Sequence, residues 1–360
     1  MIHISKRGEI SRGKALAIRL LGLLVGVLLC AVITVVTTKT NPLEVFAAIV
    51  KGSFGSTRKT WIFFQNTAIL LLISLAVTPA FRMRCWNLGA EGQVLAGAMA
   101  ATACMVLLEG KLPNAAAIAA MLLASMAVGA IWAGIPAFFK ARFNTNETLF
   151  TLMMNYVAMQ IVNFFCVVWE NPKGSGQMGI INQKTQFGWV PQLVNRYLLV
   201  IVVAAVLTVF LYFYLNYTKH GFELTVVGES ERTARYVGIK VERVVVRTML
   251  LSGLICGLTG FLLVGSINHN VSSVIAGGQG FTAVMVSWLA KFDPILMVLF
   301  SGMLIFLGTG AKEIATSIGL NMSFGDMLTA VLIFCIIGSD FFVNYKLSVS
   351  RKSKEVEKHV

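Results

Sequence analysis

The sequence predicts an all-α polytopic membrane protein with about ten transmembrane segments, eight to ten in all, one of them short or broken near residues 281–290. Three observations lead there. Hydrophobic residues fill 57% of the 360 positions and charged residues 13%, whereas a water-soluble chain is roughly 45–50% apolar and ~25% charged, so too little polar material exists to cover a soluble surface. The apolar residues fall into runs near the ~20 residues that carry a helix across a ~30 Å hydrocarbon core, with no barrel-like alternation, and a bilayer forces such segments to satisfy their backbone as helices. The net charge is +14, which on so apolar a chain records either a nucleic-acid footprint or membrane orientation; its placement along the chain decides between them.

In chain order, residues 1–15 form a basic N-terminus. The first apolar run, 16–37, follows it and contains only Arg19 as a charge; it is too long for a signal peptide and no small-x-small cleavage site follows. The stretch Gly8-Glu9-Ile10-Ser11-Arg12-Gly13-Lys14-Ala15 imitates a phosphate-binding loop up to its last position. Ala15 lacks the hydroxyl that would hold magnesium, and no strand precedes the loop. Further runs lie at 60–80, 87–108, 115–139, 148–169, 197–216, 248–267, 281–290, 295–310 and 325–343, closing a transmembrane domain over 16–343 that leads into a basic tail, 344–360. Ten residues of helix rise ~15 Å, half the core, so 281–290 is a half-helix or one arm of a broken helix. It lies between Gly277-Gly278-Gln279-Gly280 and Lys291-Phe292-Asp293-Pro294. Such a piece survives at membrane depth only beside protein or a water-filled cavity.

With the N-terminus cytoplasmic, this layout puts 21 of the 30 basic residues on the inside and nine outside. The excess follows the positive-inside rule with both ends cytoplasmic. The charge therefore records orientation. Six cysteines, at 30, 85, 104, 166, 256 and 335, form no CxxC or Cys/His cluster and read as small packing residues. The longest hydrophilic stretches, about 170–196 outside and 217–247 inside, have roughly 30 residues each, far below the ~100 of a folded domain, and so house no enzyme.

Two stretches break the apolar pattern in informative ways. In the inner loop, Ser230 can cap a short helix, Glu231 stands in its first turn, Arg235 near its end, and Gly238 can close it; Glu231 and Arg235 also stand four residues apart. This is either a solvated loop or an element docking a cytoplasmic partner, with Tyr236 and Val237 as contacts. The other stretch is Asn87-Leu88-Gly89-Ala90-Glu91-Gly92-Gln93. Asn87 can cap a helix that carries Glu91 in its first turns, and Gly89, Gly92, Ala96 and Ala100 make a small-residue face for close helix contact. A carboxylate inside a membrane faces a cavity or a partner; here it either lines a pore or is satisfied by Arg82, Arg84 or helix-end amides. Asn155, Tyr156, Gln160, Asn163 and Trp288, on apolar runs, serve either a ligand or interhelical contacts.

Asn87 to Gln93 resembles the Asn-Ile-Gly-Ala-Glu-Gly-Gln signature of permeases in nucleoside and simple-sugar ABC importers, within the binding-protein-dependent permease family. Three more stretches agree in order and spacing. Asn146-Glu147 to Asn155-Tyr156 is similar to that family's Asn-Glu-to-Asn-Tyr segment, Val227-Gly228-Glu229 to Ala234-Arg235-Tyr236-Val237-Gly238-Ile239 to its cytoplasmic coupling segment, and Gly278-Gln279-Gly280-Phe281-Thr282 to its Gly-x-Gly-Phe run. The resemblance covers roughly 40–345. Two departures stand out: Ser230-Glu231 where Asn-Pro is common, and Ala290-Lys291-Phe292-Asp293-Pro294 in place of Gly-Arg-Asn-x-Pro.

The resemblance implies the permease half of an ATP-driven importer in a bacterial inner membrane. Its partners would be a second, related permease, a cytoplasmic ATPase that is often a fused tandem, and an extracytoplasmic binding protein or lipoprotein that delivers a nucleoside or a simple sugar. It implies no catalytic residue, metal or cofactor in this chain, with ATP and magnesium on the partner ATPase. Coupling to that ATPase would fall to Gly228, Glu229, Arg232, Ala234, Arg235, Tyr236 and Gly238, and the translocation pathway to Asn87, Glu91, Gln93, Asn155, Tyr156, Phe281 and Thr282. The rival class is a secondary transporter driven by an ion gradient, for which Glu91 would be the one buried carboxylate in the first half. An intramembrane enzyme is the weaker rival: no HExxH, Gly-x-Ser-x-Gly or paired-Asp motif occurs in a span, and His269 stands alone.

Overall fold

A computed structural model describes residues 2–6, 11–39, 41–192, 194–317 and 319–349. Residues 8–10 of the P-loop imitation and most of the basic tail lie outside the described residues, and, contrary to expectation, a strand does precede that stretch, at Ile2–Lys6. The described chain runs β1 (Ile2–Lys6), α1 (Arg12–Thr38), α2 (Pro42–Phe54), α3 (Thr57–Arg82), α4 (Ala90–Leu107), α5 (Asn114–Phe143), α6 (Glu147–Val168), α7 (Leu198–Tyr217), α8 (Lys219–Glu229), α9 (Glu231–Tyr236), α10 (Val241–Leu262) continuing as a π turn (Leu263–Asn268), α11 (Gln279–Leu289), α12 (Pro294–Ser317), α13 (Met322–Asn344) and β2 (Tyr345–Val349). Among the described residues nine helices are long and apolar enough to cross a membrane. The short tenth piece is α11, with 11 residues. This is the all-α polytopic architecture the composition demands, with one addition: β1 and β2 pair antiparallel, Ile2 opposite Val349 and Lys6 opposite Tyr345.

Two compact units share the chain, one built from residues up to 60 together with those from 304 onward, the other from 61–303. In the first, α1 packs along α13, where Gly26 meets the Cys335 and Leu332 side chains. α2, a 13-residue helix too short to span, is tied down by a hydroxyl pair between Ser53 and Thr309 (2.7 Å). Lys59 is paired with Glu313 at 2.7 Å.

The second unit is organised around α4, α5 and α10. Helices gain little from the hydrophobic effect inside lipid, so close packing through small residues takes its place. A Cβ on Gly257 of α10 would run into the Ser125 carbonyl of α5, and one on Gly97 of α4 would lie 2.5 Å from the Gly257 Cα. The helix axes come this close only because no side chain stands between them. α3, α4 and α10 are consequently the helices most buried within the chain, while α5, α6 and α7 turn most of their surface outward.

Several boundaries depart from the sequence reading. The inner loop expected over 217–247 is two helices, α8 and α9, and its last seven residues already belong to α10. Asn87 does not cap α4: the helix starts at Ala90 with Gly89 before it at φ −86° and ψ 6°, and residues 85–89 are neither helix nor strand. The expected Glu231–Arg235 pair is replaced by Arg235–Glu242, at 2.8 Å. The six cysteines are free thiols, as expected.

Candidate functional site: a broken-helix junction and the segment beneath it

Helix α3 ends at Arg82; Arg84 adopts a left-handed φ of 59° and the chain runs as an irregular link through residues 85–89 before α4 begins. Its depth follows from its partners. Asn87 Nδ2 donates to Ser252 Oγ at 2.9 Å, and Ser252 is the twelfth residue of the 28-residue span Val241–Asn268. At ~1.5 Å per residue that is roughly 17 Å from the start of α10, near the middle of a ~30 Å core.

Non-helical backbone at that depth leaves amide groups that water cannot reach, and side chains of α6 and of the link itself satisfy them. The Gly89 N–H donates to Asn87 Oδ1 (3.0 Å), which also accepts from Gln93 Nε2 (3.1 Å). The Leu88 N–H donates to Thr151 Oγ1 (3.2 Å), and the Leu88 carbonyl accepts from Asn155 Nδ2 (2.8 Å). Asn155 Oδ1 takes the Gly92 N–H at 2.8 Å. Asn87, Gln93, Thr151, Asn155 and Ser252 are all buried.

Glu91, 2% exposed, completes the junction. Its Oε1 accepts the Gly278 N–H at 3.0 Å and its Oε2 the Gly280 N–H at 2.8 Å. These amides belong to the N-terminus of α11, so of the two readings open at the outset this is the one with helix-end amides as partners. Gly280 is required for the approach, because a Cβ there would sit 2.6 Å from the Glu91 nitrogen and 2.8 Å from Oε2.

The fourth stretch singled out in the sequence lies directly against this link. A Cβ on Gly228, at the end of α8, would strike the Arg82 carbonyl, with the Met83 Cα close by. Leu224 and Val227 of α8 and Ala234 of α9 share one buried cluster with Met83 and Cys85 of the link and with Val241, Val244 and Met249 of α10. Ser230 caps α9 by accepting the Thr233 N–H (3.2 Å), and Gly238 closes it at φ 84°. Burial alone would raise the Glu223 carboxyl, but the Arg247 guanidinium at 2.9 Å and His220 at 3.6 Å together hold it below the ordinary carboxylate range. Glu229, Glu231, Arg232, Arg235, Tyr236, Val237 and Gly238 are exposed, Tyr236 to 91%.

The residues picked from sequence thus separate into two sets. Asn87, Glu91, Gln93 and Asn155 are joined in the buried junction, and Gly228 and Ala234 are buried beside it. Tyr156 and Phe281 face outward, 59% and 41% exposed, and Thr282 is partly exposed. Sequence reasoning missed Ser252, which no local pattern marks, and gave no role to Thr151 although it lies inside the Asn146–Tyr156 stretch. It also missed Trp86, which stacks on Trp288 with centroids 5.3 Å apart beside Phe81. His269 serves packing: its ring lies 3.8 Å from that of Trp189 in a parallel stack, where burial and Arg196 hold its pKa below the usual histidine value.

All four stretches that carried the resemblance therefore meet in one connected region. Residues 61–337 match the family described as branched-chain amino acid transport system, permease component. The chain belongs to this permease family. Among its relatives, the glucose ABC transporter permease TsgB13 of Haloferax volcanii is 29% identical, over 78% of this chain and 76% of its own. The guanosine ABC transporter permease NupP of Bacillus subtilis is 27% identical, over 85% and 88%. The nucleoside ABC transporter permease NupB of Lactococcus lactis is 25% identical, over 96% and 97%. The chain is a multi-pass membrane permease of the ABC importer type, and this membership selects that class over an ion-driven secondary transporter.

Proposed function

We propose that this chain forms half of the membrane pathway of an importer that takes up a nucleoside, pairing with a second related permease. In this reading an extracytoplasmic binding protein hands the substrate over on the outer face, and a tandem ATPase docks on the inner one. ATP and magnesium act on that ATPase, and this chain contributes no catalytic group. The observation that carries the substrate class is coverage: a nucleoside permease aligns along 96% of the chain, from the first helix through the last. A simple sugar is the second reading, favoured by the 29% identity to a glucose permease.

The exposed face of α8–α9, with Arg232, Arg235 and Tyr236, is the proposed ATPase contact. The distribution of basic residues places it and both chain ends in the cytoplasm. Tyr156, Phe281 and Thr282 are assigned to the pathway surface, with the Asn87–Gln93 and Asn155 network as the wall behind them. Irregular backbone such as 85–89 and 269–278 is stable at depth only against protein or water, which turns this side of the chain toward the partner permease and the path. The test is uptake into vesicles holding both permeases, the ATPase and the binding protein. Labelled nucleoside should accumulate only with ATP, and unlabelled nucleoside should compete better than glucose. Accumulation by the chain alone under a proton gradient would contradict the proposal.

A further inference from the structure

We propose that Glu91 is the joint that passes movement of the α8–α9 segment to α11, acting as a positioning residue for transport; this rests on the importer reading above. A continuous set of contacts makes the connection. Gly228 seats α8 against the Arg82 carbonyl, and Leu224, Val227 and Ala234 grip Met83 and Cys85. From Cys85 the irregular link runs through Asn87 into α4, where Glu91 stands in the first turn. Glu91 then holds α11 through two amide bonds, at 3.0 and 2.8 Å.

The physics of the joint explains why a carboxylate stands there. Glu91 lies in the first turn of α4 and its oxygens meet the first turn of α11, so two helix N-termini face each other at mid-membrane. Each end carries unpaired N–H groups and about half a positive charge. In a low dielectric the two ends repel, and one carboxylate between them turns repulsion into attraction. α11 is a rod of 11 residues between two turns that adopt left-handed φ values, Gly277 and Gly278 (62° and 72°) before it and Lys291 and Phe292 (50° and 63°) after it. Its far end rests on the Thr78–Ser287 hydroxyl pair (2.8 Å) and on the stack of Trp288 against Trp86, and Glu91 supplies the charge-assisted hold on its N-terminus.

Two measurements on the assembled complex test this. In vesicles, Glu91→Gln should keep the ATPase bound and hydrolysing within about twofold of wild type, while nucleoside moved per ATP falls at least about tenfold, the factor for losing one charge-assisted bond to a buried group. Gly280→Ala, wedging the clamp from the other side, should have the same effect. If both variants merely lower the yield of complex and leave nucleoside moved per ATP unchanged, the residue is only structural and the proposal fails. Wild-type complex carrying spin labels at Phe281 on α11 and Leu107 on α4 should keep one narrow distance with and without ATP, because the clamp makes the two helices move together. A distance that changes with nucleotide overturns the proposal even if the variants do not fold. Absence of ATP-driven uptake by wild type would instead defeat the importer reading, leaving the label distance as an independent test of the clamp.

Discussion

The broken-helix junction and the α8–α9 segment are both islands of polar residues in an apolar chain, yet they dispose of their polarity in opposite ways. At the junction, Asn87, Glu91, Gln93 and Asn155 are engaged in internal bonds and almost none of their surface is left open. On α8–α9 the buried side carries Leu224, Val227 and Ala234, while Arg232 and Tyr236 are exposed and Arg235 pairs at the surface with Glu242. Polarity turned inward satisfies an otherwise costly backbone and sets the place of a helix. Turned outward, it leaves contacts for another protein. Changes in the first region should therefore act within this chain, on its stability or, at Glu91, on the transport obtained per ATP, and changes in the second should cost it a partner.

The largest loss is expected from Gly257→Val, which drives a branched side chain into the Ser125 carbonyl where α4, α5 and α10 meet. A cost of about 4 kcal/mol or more should leave no monodisperse protein on size exclusion in detergent. Asn87→Ala comes next. It removes the acceptor of the Gly89 and Gln93 donors and the donor to Ser252, and about 3 kcal/mol of stability with them, read as a lower melting midpoint of protein that still folds.

A smaller effect is expected where the two regions adjoin, at Glu223. Its folded pKa is depressed, so the stabilisation it gives is fully present above its unfolded value of ~4.3. That stabilisation fades as pH falls through the folded value. Glu223→Gln should therefore melt below wild type at pH 7, and the difference should shrink as pH falls below ~4.3 and vanish once pH lies below the folded value. A difference that persists in acid would mean that the Arg247–Glu223 pair is not its source.

How far the sequence foretold these regions depends on how local the physics is. Spans 60–80, 148–169 and 197–216 appear as α3, α6 and α7 within a few residues of their expected ends, because burial in lipid is written in the composition of each segment. Ser230 and Gly238 were legible for the same reason, since capping acts over three or four residues. The irregular link was not. The apolar run is continuous across 87–108 in composition, and what keeps 85–89 out of the helix is bonding to Thr151, Asn155 and Ser252, 63 to 165 positions away. α2 escaped because 13 residues are too few to register as a span. The start of α10 read as loop because Arg243 and Arg247 lie in its first turns; Arg247 is accommodated by Glu223, a partner on another helix. Glu91 was visible as an anomaly, but its partners are backbone amides 187 and 189 residues further on.

The contrast between an inward joint and an outward contact is tested most directly by replacing Arg232, Arg235 and Tyr236 together with alanine and measuring how much ATPase co-purifies with the folded permease. The expected result is an unchanged melting midpoint, each exposed substitution costing within about 0.5 kcal/mol, with the ATPase lost from the preparation. Undiminished co-purification, or a permease that no longer folds, would contradict the assignment of α8–α9 as the surface that receives the ATPase.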